Sequence, residues 1–141
     1  MKATKPSLER VDTFSNIPFY SQSVPAGFPS PADDFLEFDL SLDKKLIKHP
    51  SATFFVRVSG TSMINAKIFD GSILLVDRAE KINSGDIVLA VIDGDFTVKR
   101  YKKIRGDVLL YPENKNMKPI KIAEGSESYV WGKVMWSFNK V

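Results

Sequence analysis

The chain has no cysteine and a single histidine, His49, among its 141 residues. The first absence removes disulfides, thiol nucleophiles and thiolate metal sites together. The second leaves a zinc site nothing but His49 and carboxylates, a poor donor set for that metal. It also narrows acid–base chemistry, because a general base here is His49, a carboxylate or a lysine held out of its usual charge state. Long apolar runs are missing too, none approaching the roughly 20 residues that span a bilayer. The opening MKATKPSLERVDTF lacks the apolar core of a secretory leader. The expectation is a cytoplasmic protein with no membrane partner, no metal and no cofactor.

What is present suits one globular domain with an appendage: 43% hydrophobic and 26% charged residues supply a core and a solvated surface. The net charge of +3 is unevenly placed. Lys99, Arg100, Lys102, Lys103, Arg105, Lys115, Lys118 and Lys121 face only Asp107 and Glu113 in the same stretch, while Asp33 to Asp43 is acidic without a base. Such a basic stripe is either a surface for nucleic acid or an acidic partner, or a strand edge guarded by lysines. With no recognition helix beside it, the edge is the simpler reading, and any contact with DNA is indirect. Two amphipathic helices joined by a tight turn are nowhere evident, so a helix-turn-helix reader is not expected.

Two textures divide the chain. Residues 1–45 read as a flexible N-terminal arm, with Pro6, Pro18, Pro25, Pro29 and Pro31 favouring extended backbone, and with a short helix expected within 33–48. Phe14, Phe19, Tyr20 and Phe28 make the arm too apolar for an inert tail, so it is expected to dock. Residues 46–141 read as a folded core. ATFFVRVSG, SILLVDR, DIVLAVI, DFTVKRY, DVLLYP and SYVWGKVMWSF are strand-like, and Asp93–Gly94 is a two-residue hairpin signal. Short strands at this spacing predict a mostly β protein, a small antiparallel barrel or sandwich.

Within SGTSMINAKIFDGSILLVDR, Ser62 follows a strand through Gly60 and precedes one helical turn. Its hydroxyl is either a turn cap or a nucleophile, with the backbone N–H groups of Thr61 and Ser62 as oxyanion donors. A nucleophilic serine needs a base. Lys99 lies on the second strand of the Asp93–Gly94 hairpin, and alternation sets Thr97, Lys99 and Tyr101 on one face against Phe96, Val98 and Arg100 on the other. To serve near neutral pH its amine must fall from about 10.4 to about 7, roughly 4–5 kcal/mol of disfavoured charge, which burial supplies. Otherwise Lys99 is a solvated strand lysine. His49, between Lys48 and Pro50, is the competing base in a Ser–His–Asp arrangement, or a surface histidine without a role.

Taken in order, Ser59–Gly60–Thr61–Ser62–Met63, Asp70–Gly71, Gly85–Asp86–Ile87–Val88 and Phe96–Thr97–Val98–Lys99–Arg100 resemble the Ser–Lys self-cleaving peptidases, the LexA/UmuD family that also includes phage repressors. The UmuD branch is the nearest likeness, given His49–Pro50–Ser51–Ala52–Thr53, a short arm and no DNA-binding domain. That resemblance implies Ser62 as nucleophile, Lys99 as base and Ala26–Gly27 as the bond cut. Alanine and glycine there let backbone approach the nucleophile closely. It further implies a homodimer, promotion by a RecA filament on single-stranded DNA, and a shortened product that joins the Y-family polymerase UmuC in lesion bypass during the SOS response. A non-catalytic β-rich regulatory module, a truncated phage-type repressor and a signal-peptidase relative sharing the Ser–Met pair remain the alternatives.

Overall fold

The structure, a computed structural model of the chain, describes residues 1–3, 19–20, 36–37 and 42–141. These fall into two units, one formed by Met1–Ala3 with His49–Val141, the other lying within Leu8–Lys48.

Strand β1 is Lys2–Ala3. In the smaller unit, β2 (Phe19–Tyr20) pairs antiparallel with β3 (Leu36–Glu37) in the register Phe19↔Glu37. Helix α1 covers only Leu42–Leu46. The helix expected over 33–48 is thus shorter, and the reason is visible in the sequence: Leu36, Phe38, Leu40 and Leu42 alternate with Glu37, Asp39 and Ser41, a strand period. Helical backbone begins where Asp43 at the start and Lys44 and Lys45 at the end complement the helix dipole.

The larger unit is β4 (Thr53–Ser59), β5 (Ile73–Asp77), β6 (Ile87–Ile92), β7 (Asp95–Ile104), β8 (Asp107–Tyr111), β9 (Ile120–Ile122) and β10 (Tyr129–Phe138). All six strands read from the sequence are present; β1, β2, β3 and β9 are additional. Tight turns set the registers. Asp93 and Gly94 both have positive φ, 49° and 86°, the conformation that joins right-twisted strands, and they place Val88 opposite Lys99 on β6 and β7.

The order β1-β4-β5-β10-β6-β7-β8-β9, with β1 also pairing β7, closes six strands into an antiparallel barrel and leaves β8 and β9 as an extension. The closure is made by β1, whose Lys2 pairs with Ser59 on β4 and with Thr97 on β7. Inside, Val56, Val58, Met63, Leu74, Val76, Leu89 and Val98 form the core with Met1, alternate residues of each strand pointing inward. Val88 and Ala90 face the other way, onto Leu110 of β8. No helix among the described residues is long and apolar enough to cross a membrane.

Candidate active site

The loop between β4 and β5 is held at both ends. At Gly60 the backbone turns through φ +98°, a region that suits glycine, and its N–H donates to Asp70 Oδ1 at 2.9 Å. Beyond it a 3-10 turn, Ile64–Ala66, closes with Ile64 N–H donating to the Thr61 carbonyl at 3.2 Å and Ala66 N–H to Met63 at 3.0 Å. Met63 is fully buried in the barrel core, so the residue beside the serine anchors the loop. Ser62 itself is 1% exposed. A third tie comes from the segment after β8: Asn114 Nδ2 donates to the Thr61 carbonyl at 3.0 Å, and Asn65 N–H to the Glu113 carbonyl at 2.9 Å. With the Thr61 carbonyl so fixed, its trans peptide turns the Ser62 N–H in the opposite direction.

Lys99, on β7, is 6% exposed, and its Nζ lies 3.0 Å from each of three oxygens: Ser62 Oγ, Thr97 Oγ1 and the Val98 carbonyl. An uncharged amine would fit these three oxygens in one way. Thr97 gives its own proton to the Met1 carbonyl at 2.7 Å, so toward Lys99 it acts as acceptor. The Val98 carbonyl can only accept. A neutral amine has two N–H groups and one lone pair, and once those two oxygens take the N–H groups, the lone pair faces the Ser62 hydroxyl. Burial lowers the Lys99 amine below its ordinary 10.5, with the hydrogen bond to the Met1 amine pulling the other way.

Ser62 Oγ also accepts a hydrogen bond from the Met1 α-amine. Burial, reinforced by the hydrogen bond and charge of Lys99, lowers that amine to about 5.

His49 has another partner and another role than the sequence suggested. Its Nδ1 lies 2.7 Å from Asp77 Oδ2, while Asp77 Oδ1 accepts from Ala79 N–H at 2.8 Å. Asp77 is 1% exposed at the end of β5. Burial alone would raise its pKa, but the hydrogen bonds and charge of His49, with the backbone donors, outweigh it and hold the carboxyl below 3.8. Far from idle, His49 satisfies a buried carboxylate, and the group bonded to Ser62 is Lys99. The basic stripe is not one solvated edge either. Lys99 is buried, Arg100 reaches Glu113 Oε1 and the Gly85 carbonyl, each at 2.5 Å, and Lys121 lies 3.5 Å from Asp107. Ala26 and Gly27 lie outside the described residues.

Sequence reasoning missed Thr97, Asn114 and Met1 as neighbours of this site. Thr97 had a signal, standing two residues before Lys99 on the same strand face. The other two had none, since contacts across 53 and 61 residues leave no local pattern.

A six-stranded barrel with a serine on one loop and a buried lysine at its hydroxyl defines a class. The model of the family described as Peptidase S24-like matches residues 18–135, and the chain belongs to that family of serine peptidases, of the LexA and UmuD kind. Protein MucA of Salmonella typhimurium is 45% identical over 123 residues, covering 86% of this chain and 84% of MucA. Protein ImpA of Shigella flexneri is 54% identical over 83 residues, 59% of this chain and 57% of ImpA. LexA repressor 1 of Geobacter sulfurreducens is 39% identical over 127 residues, 89% of this chain and 62% of the repressor.

Proposed function

We propose that the chain is a UmuD-type autopeptidase that cuts its own Ala26–Gly27 bond with Ser62 as nucleophile and Lys99 as base. The reading stands on one distance, the 3.0 Å between a buried lysine nitrogen and a buried serine oxygen. An isolated buried ammonium is costly, and folding tolerates the lysine because the site favours its neutral form.

Ser62 Oγ gives its proton to Lys99 Nζ and bonds to the Ala26 carbonyl carbon, whose oxygen becomes an oxyanion facing the N–H groups of Thr61 and Ser62. The carbon–nitrogen bond breaks, and the Gly27 nitrogen leaves with the proton from Lys99. Water, deprotonated by the same amine, then hydrolyses the ester and restores Ser62. Because the arm is tethered to the core, even weak docking gives a high effective concentration.

In this reading a RecA filament on single-stranded DNA promotes cutting by favouring the docked arm. The product, residues 27–141, acts in the cytoplasm as a homodimer with the polymerase UmuC, serving lesion bypass, SOS mutagenesis and DNA repair. DNA is met only through these partners. Its membership beside MucA and ImpA supports this assignment.

Incubation of purified protein at alkaline pH, followed by intact-mass measurement, tests the chemistry. The expected result is one cut, leaving residues 27–141, and none in Ser62→Ala or Lys99→Ala. A Lys99→Ala protein that cuts as fast as the parent would remove lysine from the mechanism.

A further inference from the structure

Arg100 follows Lys99 on β7, and period two turns the two side chains to opposite faces of the strand. Lys99 meets Ser62 directly. Arg100 reaches the same loop by a longer route. Its Nε donates to Glu113 Oε1 and its Nη1 to the Gly85 carbonyl, each at 2.5 Å. Acceptors on two separate segments occupy two arms of one rigid fork, which fixes where Glu113 stands relative to β7.

Glu113 follows the end of β8 by two residues, after Pro112, whose ring restricts the backbone. From there the chain grips the loop that carries Ser62 at two points. The Glu113 carbonyl accepts from Asn65 N–H at 2.9 Å, and Asn114 Nδ2 donates to the Thr61 carbonyl at 3.0 Å. One contact lies just before Ser62 in sequence and the other three residues after it. Asn114 is itself oriented, because its Oδ1 accepts from Asn116 N–H and its carbonyl from Met117 N–H, both at 3.2 Å. The Arg100–Glu113 pair is partly exposed, at 28% and 30%, so its worth to overall stability is small. What it supplies is position. A reacting atom displaced by an ångström loses rate steeply, and Ser62 and Lys99 stand on different elements.

We propose that Arg100 is a positioning residue for self-cleavage, fixing the loop that carries Ser62 against the strand that carries Lys99 by way of Glu113 and Asn114. The proposal deepens the peptidase reading and rests on it. It assigns Arg100 to the placement of the hydroxyl and not to the charge of the amine. Losing the brace therefore slows cutting by one factor at every pH and leaves the midpoint of the pH–rate profile where it was.

The test compares Arg100→Lys, which keeps the charge and loses the fork, with Glu113→Gln, the double variant and the parent from pH 6 to 11. Each single variant is expected to cut about tenfold more slowly, with its midpoint unmoved, and the double variant to be no more than about twofold slower than either. Lys102→Gln removes a positive charge two residues along the same strand face, and should stay within about twofold of the parent. Backbone amide exchange in the Ser62→Ala background reads the brace without any cutting: Asn65 N–H should exchange about fivefold faster or more once Arg100→Lys is added, at an unchanged urea midpoint. Parent-like cutting in Arg100→Lys, a moved midpoint, equal slowing by Lys102→Gln, or unaltered exchange at Asn65 would each overturn the brace while the peptidase reading stands. A parent that never cuts would overturn the peptidase reading, and the brace with it.

Discussion

Thr97 Oγ1 lies 3.0 Å from Lys99 Nζ, two residues back on the same face of β7. Both charge states of the lysine use that oxygen, but an ammonium loses more than an amine when it goes, because hydrogen bonds to charged groups are the stronger. Thr97→Val is therefore expected to move the midpoint of the pH–rate profile for self-cleavage to lower pH, by about half a unit to one unit. The measurement is the cutting rate from pH 6 to 11; an unmoved midpoint would show that Thr97 does not act through Lys99.

Asn114 is tied to the loop that carries Ser62 rather than to Ser62 itself. Its amide holds the Thr61 carbonyl, and small displacements of a reacting atom cost rate steeply. Asn114→Ala should slow self-cleavage about tenfold while changing unfolding free energy by only about 0.5–1 kcal/mol, since the bond is solvent-exposed. Single-turnover rates set against urea midpoints separate the two effects.

Asp77 and His49 form a pair that serves stability. Asp77→Asn leaves His49 and the Ala79 N–H imperfectly met at a buried position and should cost about 2–3 kcal/mol in urea unfolding at pH 7. The pH dependence has a definite sign. The folded carboxyl titrates below 3.8, so its contribution is present above that value and disappears as pH falls through the lower folded one. The variant should lose this acid-sensitive part of the curve. His49→Ala should keep the rate of self-cleavage to within about twofold, which excludes a Ser–His–Asp arrangement.

Lys99 carries a stability penalty that a structural lysine would not. Its folded pKa is below 10.5, so folding must favour loss of a proton wherever the unfolded lysine is charged. That penalty operates below pH 10.5 and fades as pH rises through it. Lys99→Met should be inactive yet more stable than the parent at pH 7, by about 1 kcal/mol or more, with the difference shrinking toward pH 11. A Lys99→Met protein less stable at pH 7 would mean that the amine holds the fold together.

The strands were legible because alternation and turn chemistry are local. Asp93–Gly94 fixes the β6–β7 register, and that register with period two sends Val98 into the core and Lys99 to the other face. The spacing of Ser62 and Lys99 was legible as a family likeness, their 3.0 Å separation was not. β1 carries no period in its two residues, and its pairings reach across more than fifty positions to Ser59 and Val58. The role of His49 was hidden for the same reason, since Asp77 lies 28 residues away at the end of β5. The short helix expected within 33–48 is present at Leu42–Leu46, while Leu36–Glu37 is strand, in keeping with the apolar alternation of the sequence there.

Most direct of all is the protonation of Lys99 itself, followed at its side chain by NMR in Ser62→Ala, where no cutting intrudes, and compared with the pH–rate profile of the parent. The expectation is that Lys99 titrates below 10.5 and that its midpoint, allowing for the altered neighbour, tracks the rise in the cutting rate. A lysine that stays charged up to its ordinary value, or a rate indifferent to its titration, would contradict it.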